Sequence, residues 1–298
     1  MTEETEDGPT KKPTLPVAAI KALRPKQWAK NVLLFAALVF SFGFEDGEQV
    51  LQAIWGFGCF CLVSSTGYLF NDIRDREADA RHPRKRHRPI ASGALPVKAA
   101  WVEMVVIFSI GCAAAWLLRP EFLLITLLYF ASTMSYTLFF KSVVIMDIMM
   151  IAAGFLWRAA AGAIAIDVEI SPWLLLCTGF LALFLGFNKR RGELSLLGKD
   201  QGTRKTLREY TPALIQEFQA ITTSGTVISY ALYTVLASPT PWLLLTLPHV
   251  VYGIFRYIFL VQSGEGDSPT EILYRDRGIQ AVCATYPVLA IGVLLLAG

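Results

Sequence analysis

The chain has 298 residues, of which 54% are hydrophobic and only 17% charged, and its formal net charge is +3. A soluble globular chain carries about 25% charged residues, so an ordinary soluble domain is excluded, and no nucleic-acid partner is expected. Five cysteines, Cys59, Cys61, Cys112, Cys177 and Cys283, all lie in apolar stretches without metal-ligand spacing, which leaves packing as their role.

Residues 1–16 are polar and proline-rich and read as a flexible tail, not a cleaved signal peptide. Residues 17–298 read as a single transmembrane catalytic domain. Its first segment, 17–30, sets Ile20, Leu23 and Trp28 among basic side chains, the pattern of an interfacial helix held by anionic lipid headgroups. An all-α polytopic fold of nine transmembrane helices is expected, at 28–44, 50–70, 97–118, 121–140, 143–165, 172–188, 213–236, 241–262 and 279–297. About 20 apolar residues at 1.5 Å rise cross the hydrocarbon, and the first of these runs is the shortest. Arg119-Pro120 and Ser238-Pro239-Thr240-Pro241 separate pairs that would otherwise fuse, and Lys141-Ser142 marks another turn. Between the last two spans, 264–280 is polar. Ser268-Pro269-Thr270-Glu271 there would cap a short helix, pairing Glu271 with Arg275 one turn on.

The basic residues orient the chain. With the N-terminus inside, the outer loops hold Glu45, Asp46, Glu48, Arg119, Glu121, Asp167 and Glu169, with a single cation among them. The inner side holds Lys21, Arg24, Lys26 and Lys30, a cluster from Arg74 to Lys98, and another from Lys189 to Arg208. A multi-pass protein of the inner (plasma) membrane is expected, with its charged chemistry facing the cytoplasm.

The second span runs out of the apolar zone into Asn71-Asp72-Ile73-Arg74-Asp75-Arg76-Glu77-Ala78-Asp79. At about 100° per residue on a continuous helix, Asp72, Asp75 and Asp79 share one side, Asn71 lies beside them, and Glu77 points elsewhere. Like charges so close repel unless a cation sits among them. Magnesium is commonly held by one or two carboxylates plus substrate phosphate oxygens. The basic run 81–88 and the compact turn 89–93 follow, and guanidiniums match phosphate bidentately. The competing reading is a solvated helix end in which Arg74 and Arg76 balance the aspartates.

Asn71-Asp72-x-x-Asp75-x-x-x-Asp79, followed by Arg88-Pro89-Ile90-x-x-Gly93, resembles the signature of the UbiA superfamily of intramembrane prenyltransferases. The resemblance extends over essentially the whole chain after the tail. It implies a nine-helix UbiA-type bundle, with Mg²⁺ on Asp72, Asp75 and Asp79 facing a diphosphate and Asn71 assisting. Most members carry a second Asp-rich motif after the sixth span. Here that place reads Gly186-Phe187-Asn188-Lys189-Arg190-Arg191-Gly192-Glu193-Leu194, with cations in place of carboxylates.

That departure is similar to the decaprenyl-phosphate phosphoribosyltransferase branch of the superfamily. So are Leu23-Arg24-Pro25-Lys26-Gln27-Trp28-x-Lys30-Asn31, the run from Gly202 to Tyr210, and Asp276-Arg277-x-x-Gln280. The resemblance implies transfer of 5-phosphoribose from 5-phosphoribosyl-1-diphosphate to a polyprenyl phosphate. It implies catalytic roles for Asp72, Asp75, Lys189 and Arg190. Substrate-binding roles fall on Lys26, Asn71, Arg74, Arg88, Lys141, Arg158, Glu193 and Arg204. A phosphate anion is already nucleophilic, so no strong general base is required.

Other readings stay open. Lys189–Arg191 also suits plain topological charge. An orthodox UbiA prenyltransferase would need carboxylates that this chain lacks after the sixth span. A transporter would place its site near the midplane, whereas these charges gather at one face. Within the spans, Arg158 and Asp147 read as lining of an aqueous cavity. Arg256 and His249 suit a structural role as well as a functional one, and self-association is left open.

Overall fold

The computed structural model describes residues 13–82, 85–197, 205–264 and 269–297. Most of the expected tail, together with Arg84, Lys199, Arg204 and Ser268, lies outside them. The described residues are all helix and connection. The α-helices are α1 Leu15–Ala22, α2 Phe35–Phe40, α3 Gly47–Arg74, α4 Arg76–Arg81, α5 Val97–Leu118 and α6 Pro120–Leu138. They continue with α7 Met146–Ala165, α8 Pro172–Leu197, α9 Pro212–Leu236, α10 Leu247–Gln262, α11 Pro269–Arg275 and α12 Arg277–Ala297.

Seven helical segments among the described residues are long and apolar enough to cross a membrane, not nine. They are Gly47–Arg74, Val97–Leu118, Pro120–Leu138, Met146–Ala165, Pro172–Ser195, Pro241–Gln262 and Arg277–Leu296. The fold is a multi-pass helical membrane bundle with two of the expected spans removed.

The first expected span, 28–44, is not one helix. Arg24 takes a left-handed conformation (φ 53°), and Pro25 then opens a ten-residue 3₁₀ helix, Pro25–Leu34, ahead of the six residues of α2. Long 3₁₀ runs have poor hydrogen-bond geometry, so this one depends on its surroundings. Asn31 donates to Ser64 Oγ at 3.2 Å, and Trp28 Nε1 donates to Ser65 Oγ at 3.0 Å. Gly162 on α7 lets the backbone come close, since a Cβ there would stand 2.1 Å from the Leu34 carbonyl oxygen.

The other lost span is α9. Its 25 residues are long enough, but Gln216, Glu217, Gln219, Thr222, Thr223, Ser224, Thr226 and Ser229 lower its hydropathy. Gln219, Thr222, Thr226 and Ser229 are buried on one face. Several hydroxyls bond back to the helix, as Thr222 does to Phe218 O (2.8 Å) and Thr226 to Thr222 O (2.7 Å). That face packs antiparallel on α8. The Phe187 and Phe218 rings lie 4.9 Å apart, and further along a Cβ at Gly225 would fall 2.3 Å from the Phe180 ring.

The largest core joins α2, α3, α6 and α7 through Leu38, Phe60, Val63, Phe122, Tyr129 and Ala161. A second joins α8, α10, α11 and α12 through Phe184, Ile254, Tyr257, Ile272 and Ile279. The outer faces stay apolar and unburied, with Leu117 on α5 and Leu296 on α12 among their residues. Lipid tails are as apolar as those side chains, so nothing drives them inward.

The expected interfacial helix over 17–30 is divided. Only α1 is α-helical, with Ala18 and Ala22 packed on Leu69, Ile90, Leu95 and Ala100, and Ile20 exposed. The short helix between the last two spans is present as α11. Its Arg275 Nη1 donates to Glu271 Oε1 at 3.1 Å.

Candidate active site

The charged residues meet at one end of the bundle, where α3, α6, α8 and α10 finish and α5, α7, α9 and α12 begin. The acidic stretch does not continue α3 as one helix. Asp75 leaves helical geometry (φ −88°, ψ 5°), and α4 restarts behind it. Asp72 and Asp79 are buried, whereas the Asp75 side chain keeps about a quarter of its surface (24%).

Arg88 Nη1 donates to Asp72 Oδ1 at 3.0 Å and to Asp79 Oδ2 at 2.6 Å. These two carboxylates therefore converge on a single cationic position. Arg24 Nη2 also bonds Asp72 Oδ1, and its guanidinium lies 5.2 Å from the Tyr68 ring centre. Asp75 is held instead by Lys141 Nζ. Among the described residues no three acidic, His or Cys side chains stand close enough for one ion. Two converging carboxylates beside Asn71 form a donor set that fits a magnesium ion completed by phosphate oxygens. Asp75 stands aside from that pair in this geometry.

The basic cluster is built around Arg190, which is fully buried near the end of α8. Its Nε donates to Asp147 Oδ2 at 2.9 Å and its Nη1 bonds Glu193, while Nη2 is buried without a hydrogen-bond partner. Asp147 also accepts from the Tyr210 hydroxyl (2.9 Å) and from Thr206 Oγ1 (3.4 Å). Arg191 Nη1 donates to Gln219 Oε1 at 3.1 Å, and Gln219 Nε2 donates to Asn188 Oδ1 at 2.7 Å. Lys189 is half-buried.

The remaining expected residues are spread more widely. Asn71 is half-buried, Arg74 is exposed at the end of α3, and Lys26 is exposed at the start of the 3₁₀ run. The Tyr274 hydroxyl donates to Lys26 O at 3.4 Å. Arg158 is an internal tie. Its Nε donates to Asn31 Oδ1 (2.7 Å), Nη1 to Gly154 O (2.7 Å) and Nη2 to the Tyr129 hydroxyl (2.8 Å). Arg256 and His249 fasten α10 to α12 and the residue before it. Arg256 Nη2 donates to Asp276 Oδ2 at 2.7 Å, and His249 Nε2 lies 2.9 Å from Thr285 Oγ1. The Arg256 hydrogen bond holds the Asp276 carboxyl below the usual range, and Asp276 Oδ1 accepts from the Ile279 amide at 2.8 Å.

Sequence reasoning missed Arg24 and Tyr210 as site residues. Arg24 stands in the segment 23–31, where its charge passes for topological. Tyr210 ends the run 202–210 and is fully buried, which pushes its phenol above the usual range.

The UbiA prenyltransferase family matches residues 31–275. Decaprenyl-phosphate phosphoribosyltransferase of Mycobacterium tuberculosis is 33% identical over 290 residues, covering 95% of this chain and 96% of that protein. The enzyme of the same name from Corynebacterium glutamicum is 34% identical over 298 residues, covering 96% and 90%. A solved UbiA homolog from Archaeoglobus fulgidus, bound to GPP and Mg²⁺, superimposes with a TM-score of 0.72 at 21% identity, covering 93% of this chain and 99% of that one. By its motif, its fold and the extent of these matches, the chain belongs to the UbiA prenyltransferase family.

Proposed function

We propose that this protein transfers the 5-phosphoribosyl group of 5-phosphoribosyl-1-diphosphate to a membrane polyprenyl phosphate and releases diphosphate. The carrying observation is the asymmetry of the site. One pair of converging carboxylates, Asp72 and Asp79, suits one diphosphate, and a cationic cluster occupies the place of a second acidic motif. Identity of about a third to the phosphoribosyltransferases, along nearly their whole length, supports the same reading.

Magnesium bound at Asp72 and Asp79 would neutralise charge building on the leaving diphosphate. Arg24, Arg88 and Lys141, which hold the carboxylates, are placed to bind the oxygens of the same diphosphate. Asp75 orients Lys141, and Asn71 would support Asp72 in holding the ion. Lys189 and the free Nη2 of Arg190 receive the lipid phosphate. A phosphate oxygen forms the new bond to the anomeric carbon as the bond to diphosphate breaks, and the electron pair leaves with diphosphate. Lys26 and Arg74 stand on the exposed rim, where the soluble donor arrives.

A substrate panel with and without Mg²⁺ tests the reading. Diphosphate release is expected only when phosphoribosyl diphosphate, polyprenyl phosphate and Mg²⁺ are all present. Turnover of a prenyl diphosphate with an aromatic acceptor instead would overturn it.

The charged end faces the cytoplasm in this reading, in an inner (plasma) membrane whose anionic headgroups suit its exposed cations. In a background lacking the five native cysteines, His87→Cys is expected to be shielded from an impermeant thiol reagent in intact cells, and Asp46→Cys labelled. Labelling of His87→Cys from outside would reverse the orientation.

A further inference from the structure

The stretch from the end of α6 into the first turn of α7 carries two of the contacts described above. Lys141 reaches Asp75 in the acidic cluster, and Asp147 anchors Arg190 in the basic one. Between them Ile145 has φ 67° and ψ −48°, and the Met146 amide donates to Val144 O at 2.8 Å. That bond closes a three-residue γ-turn of the rare, strained hand. A β-branched residue with positive φ is a genuine outlier, and such strain persists only when the surroundings over-determine it.

The isoleucine side chain does not supply that constraint, because it is 41% exposed. The backbone amide does. It donates to the Tyr210 hydroxyl at 2.8 Å, and the same hydroxyl donates onward to Asp147 Oδ1 at 2.9 Å. Both functions of one phenol are thus used on the two sides of Met146. Tyr210 cannot easily yield, since it is fully buried against Ile148, Phe187 and Ile215.

We propose that Tyr210 is a positioning residue whose hydroxyl pins the strained Ile145 turn and thereby sets Lys141 on Asp75, so that the acidic and basic clusters act as one rigid unit. Tyr210 comes from the connection into α9. A phenylalanine in its place fills the same space but leaves the Ile145 amide and Asp147 Oδ1 without their shared partner. The turn then relaxes toward ordinary dihedrals and carries the short 3₁₀ helix Phe140–Ser142, with Lys141, away from Asp75. The consequence for phosphoribosyl diphosphate rests on the function proposed above. The pin itself does not.

The test uses the full chain as Tyr210→Phe, Ile145→Gly and the double variant. Hydrogen–deuterium exchange reads the pin without substrate. Tyr210→Phe is expected to speed exchange of residues 143–147 by about tenfold, the loss of one hydrogen bond's worth of protection, and to leave the middle of α3 unchanged. In kinetics, Tyr210→Phe should raise KM for phosphoribosyl diphosphate by about tenfold and raise KM for polyprenyl phosphate much less, because Asp147 keeps Arg190 through its other oxygen. Glycine accepts positive φ without steric cost. Ile145→Gly alone should therefore be near neutral, and added to Tyr210→Phe it should recover most of the lost affinity. Unchanged exchange in Tyr210→Phe would overturn the proposal. So would an equal rise in both KM values with a lowered melting temperature that Ile145→Gly does not repair, since Tyr210 would then be only a packing residue. If exchange responds as expected but wild-type protein never consumes phosphoribosyl diphosphate, the pin stands and the proposed reaction falls.

Discussion

Asp72→Asn is expected to lower kcat/KM by about 10²- to 10³-fold, the effect typical of losing one preorganised electrostatic contact to developing charge. The substitution keeps the shape of the side chain and removes only its charge. Asp72 is 3% exposed and sits between Arg24 and Arg88, so the change leaves two guanidiniums facing a neutral amide. It also halves the pair of carboxylates available to an ion. Asp79→Asn should behave similarly, because it shares Arg88 with Asp72. Asp75→Asn should be milder in its Mg²⁺ dependence, because Asp75 pairs with Lys141 outside that convergence. A Mg²⁺ titration of turnover for the three variants checks this. Asp72→Asn with wild-type kcat/KM at every Mg²⁺ concentration would remove Asp72 from the site.

Arg190→Ala is expected to destabilise the fold by about 3–5 kcal/mol, as removing one member of a buried ion pair usually does. Arg190 and Asp147 are each 0% exposed, and the alanine would strand Asp147 with only Tyr210 and Thr206 as donors. Its loss of activity would therefore mix unfolding with lost lipid binding. Lys189→Ala separates them. Lys189 is half-buried, and losing one charge-assisted bond, worth about 1.5–3 kcal/mol, corresponds to roughly a tenfold to hundredfold weaker affinity. Its melting temperature should stay near wild type while affinity for a short polyprenyl phosphate falls. Thermal unfolding and separate titration of the two substrates check both variants. Normal lipid binding with lost phosphoribosyl diphosphate binding in Lys189→Ala would move the diphosphate to the basic cluster.

The contrast between these variants shows where sequence reading stops. Long, mostly apolar runs announced α5, α6, α7, α8 and α12 because hydrocarbon admits little else. The run 28–44, the weakest of the expected spans, is instead a 3₁₀ segment followed by the short α2, with Arg24 and Pro25 at its start and Leu34 close to Gly162. The polar residues of α9 are visible in the sequence, but only the structure shows that they face α8. The spacing of the aspartates suggests a cation site, and the structure brings Asp72 and Asp79 together on Arg88. At the helix break Asp75 pairs with Lys141, 66 residues away, and no local pattern encodes that contact. Arg190 reads as a charge at a span end, since its partner Asp147 lies 43 residues earlier. Tyr210 left the faintest trace, because a tyrosine at the end of a polar run gives no hint that its hydroxyl meets the amide of Ile145.

The reaction itself can be tested by identifying its products. Purified protein in lipid nanodiscs would be given phosphoribosyl diphosphate labelled in the ribose, a polyprenyl phosphate and Mg²⁺. Mass spectrometry of the lipid fraction should find the polyprenyl phosphate enlarged by one labelled phosphoribosyl group, with an equal amount of diphosphate released and neither product formed by Asp72→Asn. Diphosphate release with the label left in the aqueous phase as free ribose phosphate, or an unmodified lipid alongside turnover of a prenyl diphosphate, would contradict phosphoribosyl transfer.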